Sequence, residues 1–503
     1  MEYYIGIDIG TTNLKSALFT EDGKLKSYHA EPTPIIHPQE GWSEFSPAEL
    51  WKTICICLKN VTAEVNADDI CSVGVSAMGE AGMITDDKGI PLTNIIAWYD
   101  PRAKEQIDYI KEKIPCSDIY SITGQIPSDK YGICKLLWIK DNHPDIYEKA
   151  QHWLSVEDWI LFCLTGKFAT DYSIASRTMV FDIKKLQWSD EILEKISVKK
   201  SLFSEAFPGG TYIGTVKEDV AELTGLSRKT CVVTGGHDHA CASIAVNIFE
   251  DGVVLDSMGT AEVSMIAAKE PILNEEMYRG YYSVYPHCGS KLYRVITSNQ
   301  SCGACIEWYL RTFAKNLSKK EKETGISRYD YLLNYIREAY SEFRKLYFIP
   351  FLRGSVEDRN LRGVFWGIDD THDQGNFVSA IIDGICYELR KQIDGYSQIF
   401  QEKFDLIRVV GGLSKSETIM KRKAQIQNNS IEVPVCTEAA CFGAALLGAI
   451  GTGRITFDDL NSFYREDQHY DAEKNSSENQ EYQKYLKIRE GVKQLYSEIG
   501  TNS

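Results

Sequence analysis

Basic residues are in the minority. Lys and Arg number 55 against 71 Asp and Glu, a formal net charge of −16 at pH 7. Such a surface repels phosphate backbones and anionic headgroups, so neither nucleic-acid binding nor membrane-surface attachment is expected. A small anion in a local pocket is still allowed. Long apolar runs are missing as well. No stretch approaches the roughly 18 apolar residues of a membrane span. The nearest, Ala439 to Gly451, is short, dense in Ala and Gly, and reads as a tightly packed helix. Met1-Glu2-Tyr3-Tyr4-Ile5 shows no basic region before an apolar run, so no signal peptide and a cytoplasmic location are expected. Cysteine is sparse for a disulfide scaffold: 14 are spread over the chain, which points to reduced thiols. Histidine is scarce, nine in all, which leaves few ligands for a metallohydrolase.

What is present is ordinary globular composition, 43% apolar and 25% charged, which excludes a disordered, collagen-like or fibrous chain. With 503 residues the chain is about three times a usual domain, so two domains are expected. The opening pattern reads β-β-β-α-β. Strands cover Tyr4 to Gly10, Leu14 to Phe19, Leu25 to Ala30 and Ile70 to Val75. A helix covers Pro47 to Val61 with Ser46 as its N-cap. Asp100 to Leu223 reads as mostly helical. A strand from Thr230 to Thr234 breaks at Gly235-Gly236 into a helix, Asp238 to Phe249. The opening then recurs: strands at Gly252 to Ser257, Ala261 to Ala267 and Leu292 to Thr297, then a helix from about Cys302. This is a duplication at domain scale, with a boundary near Asn247 to Asp251. Further helices are expected at Arg328 to Lys345, Gln374 to Gln401, Lys415 to Gln427, Glu438 to Ile450 and Glu478 to Ile499. Ile407 to Val410 and Ile431 to Val435 read as strands.

Five segments could carry chemistry. Asp8-Ile9-Gly10-Thr11-Thr12-Asn13-Leu14-Lys15 combines a glycine turn, hydroxyl donors and a cation, which suits an oxyanion; Asp8 could hold Mg²⁺. An ordinary hairpin is the alternative, since no Gly-x-x-x-x-Gly-Lys-Ser/Thr loop exists. Thr234-Gly235-Gly236-His237-Asp238-His239 puts a carboxylate at a helix start, placed to accept a proton from a hydroxyl. Two other readings compete: Asp238 as a plain N-cap, or a His-Asp-His metal site. Val409-Val410-Gly411-Gly412-Leu413-Ser414-Lys415-Ser416 offers a flat backbone for a nucleotide, or is a plain strand-to-helix loop. Ser76-Ala77-Met78-Gly79-Glu80 and Trp98-Tyr99-Asp100-Pro101-Arg102 bring an aromatic face and bidentate partners suited to a sugar. The alternative is a surface hairpin with an Asp/Arg ion pair. Cys302-Gly303-Ala304-Cys305 has redox spacing, yet its apolar surroundings favour structural cysteines.

Gly363-Val364-Phe365-Trp366-Gly367-Ile368, followed after seven residues by Asn376-Phe377-Val378-Ser379-Ala380-Ile381-Ile382-Asp383, resembles the second signature of the FGGY carbohydrate kinases. That family includes glycerol kinase and xylulokinase. The likeness runs in order from about Tyr4 to Gly453. It implies an α/β fold of two actin-like (ribonuclease H-like) ATPase domains, 1–247 and 248–503, with a catalytic cleft between them. It implies ATP and Mg²⁺ as cofactors, a small sugar (a ketose such as xylulose or ribulose) or polyol as substrate, and a homodimer as in relatives. On this resemblance Asp8, Gly10, Thr11, Thr12, Asn13 and Lys15 look like the first phosphate loop, with Asp8 the metal residue. Gly259 and Thr260 look like the second loop, and Gly411, Gly412, Lys415 and Ser416 like the adenosine loop. Asp238 falls on the catalytic base. Met78, Gly79, Glu80, Trp98, Asp100, His237 and Asp238 fall on the sugar side. The first signature is half present, from Lys135 to Asn142. The family's Gly-Glu-Arg is replaced at Gly354-Ser355-Val356, and Gly79 stands where glycerol kinase has Arg. The alternative is an actin- or chaperone-like ATPase without a sugar substrate.

Overall fold

The computed structural model describes residues 1–289, 291–333, 345–435, 438–472 and 476–499. Two mixed sheets follow one another along the chain. The first comprises β1 (Tyr3–Ile9), β2 (Asn13–Thr20), β3 (Leu25–Pro32), β4 (Ile70–Ala77), β5 (Tyr212–Thr215) and β6 (Cys231–His237), in the order β5-β6-β4-β1-β2-β3. The second comprises β7 (Val253–Met258), β8 (Glu262–Ala268), β9 (Ser283–Pro286), β10 (Tyr293–Asn299), β11 (Leu406–Val410), β12 (Ser430–Pro434) and β13 (Glu466–Tyr470), in the order β9-β10-β8-β7-β11-β12-β13. Five strands of each sheet repeat one plan. A meander (β3-β2-β1, β10-β8-β7) continues through two parallel strands (β4-β6, β11-β12). The duplication read from the order of elements is therefore a repeated topology.

The repeat explains why β1 looks as it does. Ile5, Ile7 and Ile9 point to one face and join a core with Leu50, Ile54 and Leu58 of the Pro47–Thr62 helix. Ser46 caps that helix as expected, accepting from the Glu49 N–H at 3.4 Å. Tyr4, Gly6 and Asp8 lie on the opposite side of the pleat. That side is covered by a helix from far along the chain, Ala439–Gly451, which packs on β1, β4 and β6 and on the Asp238–Ala245 helix. The approach is close enough to forbid side chains. A Cβ on Gly6 would lie 1.7 Å from the Cys441 carbonyl oxygen, and one on Gly443 would lie 1.8 Å from that of Cys241.

Several boundaries differ from the sequence reading. Helix is the main element of residues 100–223, as expected, but it is interrupted. Helices such as Gly132–Asn142 and Val156–Thr165 alternate with short strands, one of which, His152–Ser155, edges a five-stranded sheet. Buried Trp and Leu at helical spacing masked these breaks. The helix after Asp238 stops at Ala245 rather than Phe249. Of the helix expected over 328–345, Arg328–Leu333 is observed and 334–344 lie outside the described residues. Cys302 and Cys305 are buried free thiols, and burial pushes both up, Cys305 to about 12. That is the chemistry of packing, not redox exchange.

Candidate active site

The site begins at a defect in β6. The pairing of β6 with β4 slips between Thr234 and Gly236, leaving Gly235 as a bulge. Gly236 adopts φ +146°, and the chain then enters the Asp238–Ala245 helix. Asp238 is the first helical residue; the cap position is taken by His237. The plain N-cap reading therefore fails. So does the His-Asp-His metal reading: the one His/Asp/Glu grouping of metal-binding geometry among the described residues is Glu432, Glu466 and His469, elsewhere. The Asp238 side chain is 33% exposed, so a substrate can reach it. Burial opposes its ionisation. The flanking His237 and His239 rings and the His239 N–H outweigh that and hold the carboxyl below its ordinary range. His237 is buried, which pushes its imidazole well down, while the charge of Asp238 pulls the other way.

Asp8 lies near the end of β1, within electrostatic reach of Asp238. Its Oδ1 accepts from Ser76 Oγ at 3.2 Å. Burial, and then the charge of Asp238, push the Asp8 carboxyl up to about 7, with Lys15 pulling the other way. Two facing carboxylates, one of them buried, create a deficit of positive charge. Hard oxygen donors of this kind fit a divalent cation such as Mg²⁺. Lys15, expected to face phosphate, pairs instead with Glu438 at 2.6 Å, next to the start of the Ala439–Gly451 helix. Gly10 closes the hairpin tip, its N–H donating to the Asn13 carbonyl at 3.1 Å, and Thr33 Oγ1 braces the Gly10 carbonyl at 2.7 Å. Thr11 accepts from Trp98 Nε1 at 3.0 Å, so the first hairpin touches the sugar-side loop.

That side is a buried polar cluster around Glu80 and Arg177. Glu80 sits at φ +60°, a strained conformation of the sort stored at functional sites. Burial opposes its ionisation, and Arg177 and Lys130 overcome this and keep it charged. Arg177 donates to Glu80 from Nε at 3.1 Å and to Gln125 Oε1 from Nη1 at 2.9 Å. Its guanidinium also lies over the rings of Tyr131 and Tyr285, at 5.3 and 5.2 Å. Gly79 leaves the room for this: a Cβ there would fall 2.6 Å from His237 Cδ2 and 2.9 Å from Arg177 Cγ. Arg177, 98 residues later, thus lies against Gly79 and pairs with the neighbouring Glu80. Met78 is buried and ties to β1 through its N–H and the Ile9 carbonyl, at 2.9 Å. Trp98 is 39% exposed and available to a ligand.

Asp100 is a correction. Its Oδ1 accepts from the Arg102 N–H and Nε at 3.0 and 2.8 Å, and its Oδ2 from the Ser43 N–H and Arg102 Nη2 at 2.6 and 2.7 Å. All four lone-pair positions are taken, so Asp100 builds the loop rather than binding sugar. The Asp/Arg pair of the alternative reading is what the fold makes, buried rather than exposed.

A cavity of about 880 Å³ lies in the second half. Met258, Gly259 and Thr260 of the β7–β8 hairpin form one wall, and Gly412, Lys415 and Ser416 another. Gly411 is at φ +104°; a Cβ there would meet the Met258 carbonyl at 2.4 Å, so glycine is what lets the two loops touch. Trp308 and Arg353 also line the cavity. Arg353 puts a guanidinium one residue before Gly354, near where the family places its Gly-Glu-Arg. The first hairpin does not line this cavity; it faces Asp238. Arg177, Gln125, Lys130, Tyr131, Trp308 and Arg353 were all missed in the sequence, because none sits in a short motif.

Residues 3–245 match the model of the N-terminal domain of the FGGY family of carbohydrate kinases, and residues 255–452 that of its C-terminal domain. A xylulose kinase of Lactococcus lactis is 27% identical over 501 residues, 99% of this chain and 97% of the relative. A gluconokinase of Bacillus subtilis is 24% identical over 463 residues, 91% and 90% of the two chains. Among solved structures, ligand-bound xylulose kinase from Lactobacillus acidophilus superposes with a TM-score of 0.88 at 25% identity, covering 99% of this chain and 100% of that one. Two sheets of one topology, a hairpin tip in each half and matching family models over both halves lead to one conclusion: this chain belongs to the FGGY family of carbohydrate kinases, two-domain phosphotransferases that use ATP.

Proposed function

We propose that the chain phosphorylates a hydroxyl of a ketose of the xylulose or ribulose type, with Asp238 as the base, in carbohydrate catabolism. The observation that carries this is the placement of Asp238: ionised, reachable, and beside a buried carboxylate that calls for a cation. Glu80 and Arg177 supply an acceptor and a donor for vicinal hydroxyls, and Trp98 an apolar face. The nucleotide would occupy the cavity between Thr260 and Gly412, its phosphates directed at the two hairpins. Asp238 accepts the proton of the attacking hydroxyl, whose oxygen bonds to the γ-phosphorus as the bond to the ADP oxygen breaks. In a loose transition state, positioning and charge neutralisation matter more than the base. Asp8 would hold Mg²⁺, which supplies neutralisation of the phosphate charge. The division at 247/248 is part of this reading, as is a homodimer in a cytoplasmic setting. A chaperone-like ATPase is not favoured, because both halves of the chain match models of a carbohydrate kinase family.

The test is ADP release with MgATP across ketopentoses, ketohexoses, tetritols, pentitols, glycerol and aldonates. Stimulation by a ketopentose above all others is expected. Preference for an aldonate would overturn the substrate class, and a high rate indifferent to every sugar would overturn the sugar-kinase reading.

A further inference from the structure

Behind Asp238 lie two buried acids that no cation among the described residues balances. Glu157 and Asp171 are fully buried, and neither forms an ion pair with a described residue. An uncompensated buried acid is costly, so something in the fold must require these groups. Their hydrogen bonds show what. The bulge takes the Gly235 N–H out of the β6–β4 ladder, and Glu157 Oε1 accepts it at 2.8 Å. The His237 N–H is accepted by Ser173 Oγ at 2.9 Å. Ser173 Oγ in turn donates to Asp171 Oδ1 at 2.8 Å, so its hydroxyl proton points away and its lone pairs face His237. Asp171 is fixed by the N–H groups of Ser173 and Ile174, at 2.9 and 2.8 Å.

The two acceptors therefore grip the backbone three residues and one residue before Asp238. The grip is needed because packing dictates glycine at both positions ahead of His237. A Cβ on Gly235 would lie 2.0 Å from the Val75 carbonyl oxygen, and one on Gly236 would lie 2.4 Å from Cys288 Sγ and 2.6 Å from Ser173 Oγ. Two successive glycines give a backbone with little stiffness of its own. We propose that Glu157 and the Ser173–Asp171 pair are positioning residues that fix the Asp238 carboxylate against the substrate hydroxyl. This rests on Asp238 being the base. Glu157 Oε2 has no partner, and burial holds the Glu157 carboxyl well above its ordinary range. Glutamine keeps this shape and the Oε1 acceptor of the Gly235 N–H.

The experiment uses the full chain and the preferred sugar found above. Glu157→Gln, Glu157→Leu and Ser173→Ala are made alone and in an Asp238→Asn background, reading kcat, both KM values and Tm. Glu157→Leu and Ser173→Ala are expected to lower kcat by about 10- to 10²-fold, the scale of a small misplacement of a reacting group. Both KM values stay near wild type, Glu157→Gln keeps most of kcat, and in Asp238→Asn the same changes cost no further activity. Ser173→Ala removes one oxygen and carries the test if Glu157→Leu fails to fold. Wild-type kcat in Glu157→Leu and Ser173→Ala, beside a crippled Asp238→Asn, overturns the positioning role alone. An equal loss in both backgrounds does the same. Wild-type kcat in Asp238→Asn itself overturns the base reading, and the inference with it.

Discussion

Asp8 carries a conflict between folding and function that can be measured. Its carboxyl is raised from 3.8 to about 7 in the folded protein. The folded state therefore favours the protonated form. The stability this contributes is present below about pH 4 and is lost as the pH rises to about 7, a difference of ~4 kcal/mol by linkage. Asp8→Asn stays neutral throughout. Its apparent stability should exceed wild type by little at pH 4.5 and by several kcal/mol at pH 8, as read by urea unfolding. Mg²⁺ at pH 8 should raise the Tm of wild type and leave Asp8→Asn unmoved. An equal gap at both pH values would remove the raised pKa from the account. The Glu80–Arg177 pair makes a second residue-scale expectation. Arg177→Met leaves the buried Glu80 carboxylate with only the more distant Lys130, at 3.9 Å, and should cost about 3–5 kcal/mol in stability, along with sugar binding. Glu80→Gln/Arg177→Met should recover much of the stability and none of the sugar affinity, which melting and sugar titration would separate. Recovery of sugar affinity would deny the pair its binding role.

At the scale of elements, close backbone contact does the work that side chains do elsewhere. The Ala439–Gly451 helix lies on β1 and β4 where Gly6 and Gly74 expose bare backbone; a Cβ on Gly74 would sit 2.0 Å from the Ala444 carbonyl oxygen. Both obstacles are main chain and cannot rotate aside. Gly6→Ala should therefore cost more than the ~1–3 kcal/mol of ordinary overpacking, with a matching fall in Tm or loss of soluble protein. A shift under 1 kcal/mol would mean that the helix slides freely. Much at this scale was legible. The isoleucines at 5, 7 and 9 announce a strand with one buried face, and Gly10 and Gly259 announce the two hairpin tips. Gly235-Gly236 marks the break before Asp238. What could not be read was pairing across distance. Lys15 meets Glu438, and Glu80 meets Arg177, through folding alone. Arg177 lies in a stretch whose buried aromatics suggested only helices. Asp100 carried its own warning in Arg102, two residues on, yet nothing local tells a brace from a sugar contact.

At the scale of the molecule, the halves of the chain are not the halves of the core. The first sheet is complete only with residues 439–451 laid on it. A fragment of residues 1–247 should therefore fail to give cooperative unfolding by circular dichroism, leaving one face of β1, β4 and β6 bare. Adding a peptide spanning 438–454 should restore part of the transition. A fragment that melts cooperatively by itself would show that the helix is an accessory to the sheet.

The same helix sets a clock on synthesis. β1 leaves the ribosome first, and the segment that seals it follows about 430 residues later. At roughly 5–20 residues per second, β1 waits some ~20–90 s for its cover. During that time the Tyr4–Gly6–Asp8 face of β1 is open to the cell, although its isoleucine face is already covered by the Pro47–Thr62 helix. Growth at lower temperature and slower initiation, which spaces nascent chains apart, should both raise the yield of soluble enzyme, because the hazard lies in that interval and not in the finished fold.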